Sequence, residues 1–233
     1  MLELASRPVG KTFASLLRIQ PRHLRSVQLD RDFGDPGSAS HYIVTPFVRS
    51  TLQRLAEGLR QGSSARAWRL TGDYGTGKSS LALVLSRLAA GSVVALPKGL
   101  GELSSDVRLE PVLVVGDREP IGRSVLRGLR NVAVARKLGA GGKALPRLLR
   151  DLDSPTPSDV IHAIEAVTDA LLANGQADGL LLILDELGKN LEHVVRAPQS
   201  EDVYLLQRLA ETAARSGERP FMVVAILHQA VAT

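Results

Sequence analysis

Apolar positions along the chain recur with two different periods, and the alternation between them lays out the fold. Val48, Leu52, Leu55 and Leu59 stand at helical spacing, introduced by Thr45-Pro46 as N-cap and first-turn proline and closed by Gly62. Ser80 to Ala89 is a second run, strongly apolar and made of good helix formers. Ile121 to Leu138 reads as a third helix. Ser154-Pro155-Thr156-Pro157 opens a fourth that runs through Leu172 to Asn174-Gly175, and Asp202 to Arg215 reads as a fifth. Between these helices lie shorter segments of another character. Ala65 to Thr71 alternates in the manner of a strand, whereas Pro111 to Gly116, Leu180 to Leu184 and Phe221 to Leu227 are almost continuously apolar, as strands buried on both faces are. Strands alternating with helices predict an α/β fold, a three-layer sandwich around a mostly parallel central sheet.

The remaining stretches are less patterned. Residues 1–45 read as a basic appendage, with a short helix near Thr12 to Arg18 and a loop rich in Asp, Gly, Pro and Ser from Asp30 to Ser40; residues 46–233 read as the core. Gly91 to Glu110 reads as loop. Gly139-Ala140-Gly141-Gly142 is a flexible break and not a second phosphate loop, because Lys143 is followed by alanine. No internal repeat is visible.

One of the turns between strand and helix carries chemistry. Gly72-Asp73-Tyr74-Gly75-Thr76-Gly77-Lys78-Ser79 fits the G-x-x-x-x-G-K-[ST] phosphate loop, the Walker A pattern, with Ser80 next to it. The pattern calls for these residue types for physical reasons. Glycines allow backbone conformations closed to other residues and bring amides against phosphate oxygens; the lysine is a mobile point charge; the serine hydroxyl meets Mg²⁺; the following helix turns its positive end to the anion. A glycine turn that ends in Lys-Ser by chance is the competing reading. The strand before it and the helix after it weigh against chance.

A second group falls at Leu184-Asp185-Glu186. A strand that ends in two acids presents them at its carboxyl end, where ligands bind in open α/β sheets. Asp185 is the expected partner of Ser79 in holding Mg²⁺, and Glu186 the expected activator of the attacking water; a helix cap is the plainer reading of the same pair. Asp185 to Gly188 also fits D-x-x-G of GTPases, but no Asn-Lys-x-Asp guanine reader follows, which favours ATP.

These motifs and the order of elements from Thr45 to Gln229 resemble the nucleotide-binding core of AAA+ and origin-recognition-like ATPases, the branch of phosphate-loop ATPases with an additional catalytic glutamate. More loosely, the phosphate-loop stretch, Leu184-Asp185-Glu186-Leu187-Gly188-Lys189 and Leu227-His228-Gln229 resemble large bacterial ATP-binding proteins of phage-defence loci. The first resemblance implies that Phe221 to Leu227 is inserted in the sheet between the phosphate-loop strand and the Asp-Glu strand, and that His228 or Gln229 at its tip is a polar sensor of the γ-phosphate. Such cores continue past the sensor strand into a further strand and a helical lid, so the resemblance implies a truncation after that strand. Arg215 and Arg219 are candidates for a finger toward a neighbouring subunit, with a solvated helix end as the plainer reading.

Composition changes this picture only in part. The content is 44% hydrophobic and 23% charged, ordinary for a globular protein, and no apolar run approaches a membrane span. There is no cysteine, which excludes thiolate chemistry and fits the cytoplasm. Residues 1–70 hold eleven Lys/Arg against five Asp/Glu within a net charge of +5, so the basic N-terminal segment is a candidate for meeting nucleic acid, with a solvated face as the plainer reading. The residues from 4 to 29 also share their acid-free composition with transit peptides. The expectation is therefore an ATP-binding and ATP-hydrolysing module, with ATP and Mg²⁺ as cofactors, that couples nucleotide state to conformational change or assembly through a protein partner or self-association. The rival is a non-catalytic nucleotide-binding module that docks nucleic acid or a protein. A small-molecule kinase comes third, because no residues argue an acceptor pocket.

Overall fold

The structure is a computed structural model, and it describes residues 27–228 apart from 36, 40–41, 61, 93–95, 98, 104–106, 140–143, 151–152 and 198–201. The expected helix near Thr12 to Arg18, most of the basic segment and Gln229 lie outside the described residues, as does most of the Gly139 to Gly142 break.

Four strands form one parallel sheet in the order β1 (Ala67–Gly72), β4 (Phe221–His228), β3 (Gly179–Asp185) and β2 (Leu109–Val115). The last strand of the described chain is thus inserted between β1 and β3, as expected. β3 is buried along its whole length. Its side chains alternate between two cores: Leu180, Leu182 and Leu184 belong to one, Leu181 and Ile183 to the other. β4 divides in the same way, with Phe221 and Val223 on the first side and Met222, Val224 and Ile226 on the second. Continuous apolar sequence is what a strand covered on both faces requires.

The first face is covered by α4 (Ile121–Ala135), α6 (Pro157–Ala173) and α8 (Asp202–Ala214). The second is covered by α1 (Leu29–Phe33), α2 (Pro46–Glu57) and α3 (Lys78–Ala89). Two short helices, α5 (Ala144–Leu148) and α7 (Leu187–Arg196), and a 3₁₀ turn at Gly101–Leu103 complete the elements. Local chemistry starts the longer helices. Thr45 accepts from the Val48 amide at 3.3 Å ahead of Pro46, and Thr156 with Asp159 forms a reciprocal capping box ahead of Pro157. The Thr156 hydroxyl and amide donate to the Asp159 carboxylate and hold its pKa below the usual value. Among the described residues no helix is long and apolar enough to cross a membrane.

Several segments differ from the sequence reading: a 3₁₀ turn at Gly101–Leu103 and the first residues of β2 fall in the expected Gly91 to Glu110 loop, and α5 forms where no element is predicted. Helix α2 ends at Glu57 and not at Gly62, because the chain turns at Gly58, where a Cβ would collide with the Ala65 carbonyl. The Asp30 to Ser40 stretch contains α1, held by Arg87 of α3, and Leu29 and Ala39 are buried in the second core. Helix α7 follows directly on the two acids, where the sequence offers a helix only through the cap reading of that pair.

Candidate functional site

Parallel strands bring all their carboxyl ends to one edge, and this edge collects the candidate residues. Gly72 pairs in register with His228, and Val115 with Asp185, so the ends of β1, β4, β3 and β2 lie side by side.

The 72–79 turn leaves β1 and enters α3. Gly75 and Gly77 hold φ of 78° and 83°, which an L side chain adopts only under strain, so glycine is required at both. Gly77 is the N-cap of α3. It offers no side chain to the helix, and the first turn carries no acid, so the amides that open α3 have no side-chain acceptor. Lys78 curls back over the turn: its Nζ donates to the carbonyls of Gly72 at 2.8 Å and Asp73 at 2.7 Å, with the Thr76 hydroxyl at 3.5 Å. Thr76 itself donates to the Asp73 carbonyl at 2.9 Å. The turn is therefore a closed ring around an ammonium group. Ser80 lies in the first helical turn behind it.

Asp185, at the end of β3, is 3% exposed. Burial raises its pKa above the ordinary carboxylate value; a hydrogen bond from the Ser79 hydroxyl, the Glu186 amide at 2.9 Å and the charge of His228 oppose the shift. Ser79 and Asp185 are thus brought together from different ends of the chain. Glu186 follows in the left-handed region, φ 52°, and serves as N-cap of α7 without a side-chain cap bond. The plainer cap reading thus describes the position but not the carboxylate, which turns to Lys189, Oε2 to Nζ 2.5 Å. That contact, ahead of the charge of Asp117, raises the Lys189 pKa.

His228 is exposed at the tip of β4, its ring 4.9 Å from that of Tyr74 and tilted by 35°. Tyr74 is itself 76% exposed. Arg215 and Arg219 lie at the opposite edge: both precede β4, whose eight residues separate them from its tip by about 25 Å. Arg219 pairs there with Asp169 at 2.6 Å, so neither arginine reaches this chain's own site.

Two residues not singled out in sequence shape the edge. Asn190, 2% exposed on α7, donates to the Glu119 carbonyl at 2.9 Å and the Ser124 hydroxyl at 3.3 Å, tying α7 to the loop after β2. Gly116 in that loop donates to the Asp185 carbonyl at 2.7 Å, and a Cβ there would strike the Glu186 carbonyl and the Asn190 amide oxygen. The only signal in the sequence was a polar residue three positions after Leu187, on the buried side of an amphipathic turn.

The fold so described is a parallel α/β sandwich with a lysine-bearing glycine turn facing a buried aspartate. A scan of protein-family models finds no match to this chain, and no curated protein matches it.

Proposed function

We propose that the chain binds ATP with Mg²⁺ and hydrolyses it, as an AAA+-like module whose nucleotide state drives a change of conformation or assembly. The observation that carries this reading is the ring of oxygens around Lys78 at the start of α3, with Ser79 close enough to the buried Asp185 to affect its pKa. In it the first-turn amides of α3 and the Gly72 to Ser80 backbone take the phosphate oxygens, and Lys78 exchanges its carbonyl acceptors for them. Ser79 and Asp185 would hold Mg²⁺, which neutralises charge on the phosphates. Among the described residues no three or more His, Asp or Glu form a metal cluster. That suits Mg²⁺, which takes one or two carboxylates and fills its shell with phosphate oxygens and water. Glu186 accepts a proton from the attacking water at a carboxylate oxygen, and His228 at the tip of β4, or Gln229 after it in sequence, is the polar sensor.

A second reading, nucleotide binding without turnover, is favoured by one contact. Glu186 is already engaged by Lys189 at 2.5 Å, which draws the carboxylate away from the role of base. Nucleic acid or a protein partner at the basic N-terminal segment, self-association and a cytoplasmic location belong to both readings. Titration of ATP with and without Mg²⁺, followed by phosphate release with and without DNA, separates them. Mg²⁺-dependent binding with turnover supports the first reading, binding without turnover the second, and absence of binding removes both.

A further inference from the structure

A cavity formed by described residues lies far from the 72–79 turn. Helix α4 starts at the carboxyl edge of the sheet and runs to the other edge, where Arg136 pairs with Glu110 at the beginning of β2 at 2.6 and 2.8 Å. Its second half and α5 enclose about 440 Å³. Such a volume lies within the range of ligand pockets, roughly 300–1,000 Å³.

The walls are of two kinds. Ala133, Leu138 and Leu149 form an apolar floor continuous with the first core, and Val134 at the mouth is 74% exposed. Arg130, Lys137 and Arg150 also line the space, and no described lining residue is acidic or aromatic. Arg130 is held against α5 through a bond from its Nε to the Leu149 carbonyl at 2.8 Å. Among the described residues neither Lys137 nor Arg150 has an ion-pair partner within 4.0 Å; Asp159 acts on Arg150 only through its charge. A cation after a helix end is by itself ordinary, because it meets the carbonyl end of the helix dipole. The dipole explains Lys137 but not an apolar floor open beneath three cations.

The geometry points to this cavity as a binding site for an aliphatic carboxylate of medium chain length, with the chain on the Ala133–Leu138–Leu149 floor and the carboxylate between Lys137 and Arg150. An acyl chain matches described walls without aromatic rings, and a single anion matches Lys137 and Arg150, which have no carboxylate partner among the described residues. Charge complementarity and the limited volume favour a small amphiphile over a helix of a partner protein, which needs an extended groove.

The test uses the full chain and dodecanoate below its micellar concentration, followed by calorimetry and by amide shifts in nuclear magnetic resonance. Expected are saturable one-to-one binding, shifts confined to α4, α5 and their surroundings, and dodecan-1-ol weaker by about tenfold or more, the scale of one charged hydrogen bond. Lys137→Glu and Val134→Glu, both at exposed positions and checked by thermal melting to be folded, are expected to weaken dodecanoate by a similar factor. Failure of dodecanoate to saturate overturns the inference, as does equal affinity for the alcohol or indifference to both variants. Binding of an acidic amphipathic peptide in place of dodecanoate overturns it too and assigns the face to a protein partner. The site is separate from Lys78, so none of these outcomes bears on ATP.

Discussion

Helix α3 carries a cation at each end, and the two are used in opposite ways. Arg87, in the last turn, is 4% exposed and donates from one nitrogen to the carbonyls of Asp32, Phe33 and Asp35 and to the Ser38 hydroxyl at 3.0 Å. Burial lowers its pKa and Asp35 opposes that shift, yet a guanidinium stays charged. Lys78, the first residue, also donates to carbonyls, but those of Gly72 and Asp73 belong to a turn open to solvent. The difference is what else can reach the acceptors. The acceptors of Arg87 lie in a loop packed on α3, where the Asp32 and Asp35 carbonyls also accept from donors of the loop itself, so Arg87 is one member of a fixed network. Acceptors at the surface accept water, so in the proposed function Lys78 trades them for an anion. A planar fork suits the first task and a compact ammonium on a flexible stem suits the second.

The largest expected effect tests the mobile cation. Lys78→Ala should lower ATP affinity by about a hundredfold or more, since charged hydrogen bonds to phosphate disappear. Its melting temperature should stay within about 2 °C of the parent, because the carbonyls it leaves rehydrate. Calorimetric titration and a thermal melt read both; unchanged affinity would remove the site assignment. Arg87→Met is the mirror image. Removing the charged hydrogen bonds that tie this loop to α3 should cost about 1.5–3 kcal/mol, with a fall in melting temperature of about 2–4 °C for each kcal/mol, and ATP affinity of the folded protein should persist. A negligible change would show that the 32–38 loop rehydrates and that the contrast between the two ends is false.

Glu186→Gln sharpens the comparison at the level of turnover. It keeps the side chain's shape, so binding should survive while phosphate release falls by about a hundredfold or more, the scale of a general base. Equal rates would reduce Glu186 to the N-cap of α7. Lys189→Met should then raise turnover, since it frees the carboxylate that Lys189 holds.

The smallest effect on stability concerns the buried acid next to Ser79. Because burial raises the Asp185 pKa, the folded chain binds this proton more tightly than the unfolded chain. Stability is therefore lost as pH rises from the ordinary carboxylate range, about 3.9, through the raised value, and the cost is fully present at neutral pH. Asp185→Asn should accordingly raise the melting temperature at pH 7 and flatten its dependence in that pH window. The same variant should lose Mg²⁺-dependent ATP binding. A lower melting temperature across the range would mean that the carboxylate stabilises the fold instead of weakening it.

Much of the fold was legible before any coordinates because its strands are buried on both faces. Leu180 to Leu184 and Phe221 to Leu227 cannot lie on a surface, and Thr45-Pro46 and Thr156-Pro157 mark helix starts through purely local bonds. The 72–79 turn was legible for the same reason: the left-handed φ of Gly75 and Gly77 is a local demand that leaves a local trace. Helix α1 was not, since five residues rich in aspartate hold helical form only against α3 and Arg87. Helix α7 was legible only through the cap reading of the two acids that precede it, its short apolar stripe hidden behind them.

What the sequence by itself determined is the set of elements, the alternation of strand and helix, and which turn has the backbone freedom to curl around Lys78. These depend on residues within a turn or two of each other. Tertiary structure alone decided that Asp185 meets Ser79 across a hundred residues, that Glu186 turns to Lys189, and that Asn190 and Gly116 interlock to hold the turn between them. Those choices belong to parallel pairing, because strands that run the same way deliver their carboxyl ends to one edge however far apart they lie in the chain. No local pattern records which loops will meet there.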